Sequence, residues 1–193
     1  MAIFPGADVG SAFERAASAV REMTFRPELL TAEAPAPKRM APESLAITAD
    51  AVVADEDLGS GRLVILHNAA GEEAWEGDTR LVLYVDALVE PELAADPLLP
   101  EVGWTWLEES LEGLAYVALG GTVTRVQSQS FDAMADREPE GRMQIRASWT
   151  ATHVADLSQH VRAWADLLAT SCGLEPLAAG VAMLSPRHSG LRH

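Results

Sequence analysis

One stretch does most to limit the folds open to this chain: Arg80 to Trp106, RLVLYVDALVEPELAADPLLPEVGWTW. An extended backbone here puts Leu81, Leu83, Val85 and Ala87 on one side. Val82, Tyr84 and Leu88 fall on the other, with Asp86 among them. A strand apolar on both sides belongs inside a sheet, covered at least in part on both faces. It has to stop at Glu90-Pro91, because proline has no N–H to give to a ladder. Asp96-Pro97 then predicts a helix start, a carboxylate cap ahead of proline, and Pro100 offers a second start. Trp104, Leu107, Leu111 and Leu114 follow at helical spacing as one apolar stripe, with Glu101, Glu108, Glu109 and Glu112 largely outside it. Trp104 and Trp106 are two apart and cannot share a helix face, so one is expected in the core; if the other is exposed it suggests an interface. Glu90, Glu92, Asp96 and Glu101 read either as converging cation ligands or as a solvated turn with negative charge near a helix N-terminus. No glycine-punctuated calcium loop or histidine partner accompanies them, which favours the turn.

Around this unit the chain alternates short elements. Ser11-Ala-Phe-Glu14 has the form of a capping box, and Phe13, Ala16, Ala17 and Val20 continue it as a helical stripe ending near Met23. Residues 25–44 hold Pro27, Pro35, Pro37 and Pro42 and are expected to form an extended connector rather than packed structure. Strands are predicted at Leu45–Ala54 and Arg62–His67, with Arg80 opening the third. The modest connections between them suggest an antiparallel meander. Trp75 is expected to pin the loop before the third strand. Ala115–Ser130, bent at Gly120-Gly121, and Arg142–Thr150 make a second strand pair. A turn centred near Asp136 would set Val123 close to Trp149, and Arg125 would need either a strand edge or a carboxylate partner. A last helix runs over about 156–172, with Val161, Trp164, Ala165 and Leu168 on one stripe and Gly173 as its stop.

The bulk numbers exclude several functions. At 193 residues and 48% hydrophobic, the chain can bury one substantial core. Its formal net charge of −15 repels phosphate backbones and anionic membrane surfaces, so neither nucleic-acid nor membrane binding is expected. Lys38 is the single lysine; every other basic side chain is arginine. Cys172 is the single cysteine, which rules out an intramolecular disulfide framework and a thiolate zinc cluster; it reads as a small hydrophobe rather than a nucleophile. The first residues lack a basic segment followed by a long apolar run, and no apolar stretch approaches the roughly 20 residues of a membrane span, so the cytoplasm is expected.

No catalytic motif emerges. The five histidines make no metal spacing, and there is no nucleophile elbow, phosphate loop or dinucleotide fingerprint. His67 could serve as a general base, but no nucleophile or orienting acid stands near it in sequence, and a strand-end histidine is the plainer reading. No metal or cofactor is therefore assigned. The feature most open to a functional role is the polar side of the last two strands, with Thr122, Thr124 and Ser128 beside Gln144, Arg146, Ser148 and Thr150. It could bind a ligand or a second subunit, or be the ordinary wet side of a sheet.

Three segments, GRLVILHNAAGEEAWEGDTRLV, EPELAADPLLPEVGWTWL, and GTVTR followed by IRASWT, together resemble an actinobacterial family of uncharacterised proteins, domain of unknown function three thousand. The resemblance spans about Phe13 to Gly173 and departs in the connector and the tail. It implies an actinobacterial cytoplasmic source and carries no activity, cofactor or catalytic residue. The element order is separately similar to that of type III secretion chaperones, a likeness of fold alone.

The expectation is thus an α+β protein with a five-stranded, mainly antiparallel sheet in the order αβββαββα. It has an N-terminal extension at 1–10, a single domain at 11–173 and a C-terminal tail at 174–193. Its expected function is non-enzymatic binding or adaptor work, chaperone-like in its finer form, as a homodimer or with a protein partner. The binding residues would be Thr122, Thr124, Gln144, Arg146, Ser148 and Trp104. The alternative is a small-molecule enzyme with its site between the sheet and the Pro-rich connector.

Overall fold

A computed structural model describes residues 11–37 and 39–176. The N-terminal extension and nearly all of the predicted tail lie outside the described residues. The elements are α1 (Ala12–Arg21), β1 (Leu29–Ala34), β2 (Glu43–Val53), β3 (Glu56–Glu72), β4 (Gly77–Val89), α2 (Pro91–Ala95), α3 (Leu99–Ser110), β5 (Tyr116–Ser128), β6 (Glu140–Ala151) and α4 (Leu157–Ser171). The six strands form one sheet in the order β1-β2-β3-β4-β6-β5, every neighbouring pair antiparallel.

Two expectations need correction. The sheet has six strands, not five, because Leu29–Ala34 of the supposed connector pairs with Ala46–Ala51 of β2. Its own alternation is masked: on this edge strand only Leu29 is buried, so LLTAEA lacks a strong apolar period. The helical segment is also split. Pro91 opens the short α2 and Pro100 lies in the first turn of α3, so the order is αββββααββα. Asp96 does not cap the start of α3 but closes α2; its Oδ1 accepts from the Leu98 N–H at 2.8 Å and turns the chain between the two helices.

The core lies on one side of the sheet. Leu45, Ile47, Ala49 and Ala51 of β2, Leu63 and Ile65 of β3, and Leu81, Leu83, Val85 and Ala87 of β4 are buried there. Met143, Ile145, Ala147 and Trp149 of β6 complete the row. Helices α1, α3 and α4 cover this side through Phe13, Ala17 and Val20, through Leu99 and Leu107, and through Val161, Trp164 and Leu168. The capping serine performs as expected: Ser11 Oγ accepts from the Glu14 N–H at 3.0 Å. Trp104 and Trp106 are both half-buried and both pack against the core, so neither stands free.

β4 holds the interior place predicted for it, between β3 and β6. Its second face is only part covered: Val82 is 39% exposed, and no helix among the described residues packs there. Double-sided apolarity marks a central strand but does not guarantee two covering layers.

His67 resolves as a packing residue. It is buried, stacks on Phe13 at 5.2 Å between ring centroids, and its Nδ1 lies 2.9 Å from Thr79 Oγ1. Glu43, 3.9 Å from His67 Nε2, also accepts from Ser11 Oγ at 2.5 Å. The array fastens the start of α1 to the sheet. Trp75 holds its loop through its carbonyl, which accepts from Thr150 Oγ1.

Candidate functional site

Because all three long helices sit on one side, the even-numbered positions of β2, β3, β4 and β6 face outward. Pairing register aligns them in rows across the strands. One row runs Thr48, Arg62, Tyr84, Arg146, Thr122; the next runs Ala46, Val64, Val82, Ser148, Gly120. These two rows floor a concavity of about 600 Å³ lined by Arg62, Val64, Val82, Tyr84, Gly120 and Gly121, with Arg146 and Ser148 at its β6 side. A small residue at Gly120 keeps the end open: a Cβ there would meet nothing within 4 Å. The next residue differs. A Cβ on Gly121 would run into the Arg146 carbonyl and sit 2.7 Å from the Ala147 Cα, so glycine is what lets β5 lie against β6.

The charges on this face are unevenly matched. Asp86 is engaged, accepting from Arg142 Nε at 2.9 Å and from the Tyr84 hydroxyl at 3.2 Å. Burial, and then the neighbouring Asp86 charge, push the Tyr84 phenol up, with Arg146 opposing. The Arg146 guanidinium lies 5.3 Å from the centre of the Tyr84 ring, hydrogen-bonds the Tyr84 hydroxyl and makes a long 3.5 Å contact to Gln144 Oε1. Arg62 donates to the Pro35 carbonyl at 3.0 Å. Arg80, half-buried behind the concavity, donates to Ser148 Oγ at 2.7 Å, to Ala118 O at 2.9 Å and to Thr150 Oγ1 at 3.1 Å. Burial lowers its pKa, partly countered by the charge of Glu76. Among the described residues, none of Arg62, Arg80 and Arg146 makes an ion pair with a carboxylate.

The residues predicted for binding divide. Arg146 and Ser148 line the concavity, while Gln144, Thr122 and Thr124 share its face. Trp104 does not join them: it is on α3, on the helical side, and meets Gly121, Thr122 and Val123 only around the outer edge of β5. The predicted neighbour of Val123 is also corrected. Val123 pairs with Ile145, not Trp149, because the turn is centred on residue 134 rather than 136. Arg125 is at the strand edge and donates to the Ala95 carbonyl at 2.6 Å, so it uses the end of α2 in place of a carboxylate. Arg62, Tyr84, Val64 and Val82 were not singled out from sequence. Their even-numbered parity was visible; the side on which the helices would pack was not.

Glu90, Glu92, Asp96 and Glu101 do not converge: among the described residues no group of three or more His, Cys, Asp or Glu side chains could hold a metal ion. No helix among the described residues is long and apolar enough to cross a membrane.

Fold and surface together define an α+β protein whose antiparallel sheet is, among the described residues, helix-covered on one side and open on the other. The chain belongs to the family of proteins of unknown function called DUF3000, whose family model matches residues 9–182. Searches of curated proteins and of solved structures each returned no match.

Proposed function

We propose that this chain is a cytoplasmic, non-enzymatic binding protein and that the open face of its sheet is the contact surface. The observation that carries this reading is the one-sided placement of α1, α3 and α4, which leaves the Arg62–Tyr84–Arg146 row and its concavity uncovered by any described helix. Ligand sites are concave and apolar with a few well-placed polar groups, and this face has that make-up. An enzyme with its site between sheet and connector gains some support from the Arg62–Pro35 contact. It gains none from Ser148, whose hydroxyl lies beside a guanidinium and not beside a base. A chaperone-like role is the finer form of the reading and rests on element order alone.

Homodimerisation belongs to the same proposal. The outer edge of β5, 13 residues long, has no partner strand among the described residues, and such an edge accepts a second strand.

The test is cross-linking mass spectrometry on the full chain in its native cytoplasm, with a photoreactive group at position 82 or, as control, at position 108 on the outer side of α3. Adducts at 82 alone support the open face; adducts at 108 alone overturn it. Sedimentation at micromolar concentration tests the dimer, and a clean monomer throughout that range ends it.

A further inference from the structure

The middle of the open face has a chemistry more specific than its exposure. Arg62 and Arg146 lie on strands either side of β4, each directly opposite Tyr84, so their backbones are about 10 Å apart across two strand spacings. In a chain of net charge −15 two acids, Asp50 and Asp86, share the neighbouring row of this face; Asp86 is engaged by Arg142, and among the described residues Arg62 makes no ion pair with Asp50. Arg146 lies 5.3 Å from the Tyr84 ring centre and is held by contacts to Gln144 and the Tyr84 hydroxyl, which leave part of its five N–H donors for a ligand. Arg62 uses one donor on Pro35 O. Two guanidiniums, each with donors to spare, therefore flank an apolar floor of Val64, Val82 and the Tyr84 ring.

We propose that this concavity binds a small organic anion, with its carboxylate or phosphate held between Arg62 and Arg146 and its apolar body on Val64, Val82 and Tyr84. The proposal rests on the open-face reading and deepens it by naming the class of ligand. Size supports it: about 600 Å³ falls within the range of small-molecule sites. Charge complementarity supports it too, since arginine forks match carboxylate and phosphate oxygens two at a time. A second copy is a poor occupant here. Face-to-face pairing about a two-fold axis through Tyr84 would bring the arginines of both copies to the centre of the interface, where like charges repel.

The experiment is an amide NMR titration of the full chain with phenyl phosphate, inorganic phosphate, benzyl alcohol and a decaglutamate peptide. Phenyl phosphate is expected to give saturable shifts centred on residues 62, 84 and 146. Its affinity should be at least tenfold above that of inorganic phosphate or benzyl alcohol, and should weaken as salt is raised. Arg62→Gln and Arg146→Gln should each weaken it at least tenfold with the spectrum otherwise folded. Gly120→Val, which changes no charge and fills the open end, should weaken it as well. Unchanged affinity in both arginine variants overturns the site. Tighter binding of decaglutamate at the same residues also overturns it, by making the occupant an acidic protein segment while the open-face reading stands. No shift on this face from any probe overturns it too; the open-face reading then falls only if the cross-linking at position 82 also fails.

Discussion

Trp149 Nε1 donates a 3.1 Å hydrogen bond to His160 Nδ1, tying β6 to α4 between two fully buried side chains. Since Nδ1 accepts, the neutral ring carries its proton on Nε2, which has no protein partner. Burial lowers the His160 pKa below 6.5, with the Asp156 charge opposing. The unfolded chain then takes up a proton near pH 6.5 where the folded chain does not. Stability is therefore full above that pH and falls as pH drops through it, by at most about 1.4 kcal/mol per pH unit. Urea unfolding between pH 7.5 and 5.5 should show this fall, and His160→Gln should flatten it. The difference between the two proteins separates His160 from carboxylates such as Glu33, which Arg21 holds low and which titrates in more acid solution.

Adjacent glycines in β5 should respond oppositely. Gly121→Ala forces a methyl group into the backbone of β6 at Arg146 and Ala147, a collision no rotamer relieves, and should cost about 1–3 kcal/mol. Gly120→Ala meets open space and gives the unfolded chain less freedom to lose, so it should be neutral or stabilising by up to about 1 kcal/mol. Thermal unfolding of the pair decides this, and equal losses would refute the close approach.

The β2–β3 hairpin turns on Ala54 and Asp55, with φ of 50° and 65°. Val53 pairs with Glu56 across them, so the turn has two residues, both left-handed as in a type I′ hairpin. Aspartate tolerates that region; alanine does not do so readily. Ala54→Gly or Ala54→Asn should raise stability by about 0.5–1 kcal/mol, read as a shift of the urea midpoint without change in slope.

Cys172 sits at the end of α4 against Gly59 of β3. Burial above all, and then the Asp86 charge, raise its thiol from 9.0 to about 11, with Arg142 opposing. At pH 8 the folded chain should react with iodoacetamide on the order of 100-fold more slowly than the unfolded chain, following the thiolate fraction. Asp86→Asn should narrow that gap, and comparable rates in the two states would contradict the partly buried placement of the thiol.

Periodicity carried much of this fold. The Phe13–Val20 stripe, the alternation in β2 and β6, and the Val161–Leu168 stripe all bury as written, because each element's own spacing selects the side it must hide. The places where reading failed are those where the deciding partner is distant. β1 is a strand because β2 offers it an edge, and its composition says little. Arg125 is expected from sequence at a strand edge or beside an acid; it is at the edge, but that the carbonyls of α2 would serve it was not readable. Arg146 and Ser148 were legible as members of a polar face, whereas Arg62 and Tyr84 were not, because a row across a sheet is a fact of register between separate strands.

By itself the sequence determined most of the elements, the core stripes of α1, β2, β6 and α4, and the interior place of β4, since local spacing and proline stops depend only on neighbours in the chain. Which side of the sheet the helices would cover was decided by tertiary structure. β4 is apolar on both sides, and only the packing of α1, α3 and α4 together made one of them core and left Val82, Tyr84 and the flanking arginines open.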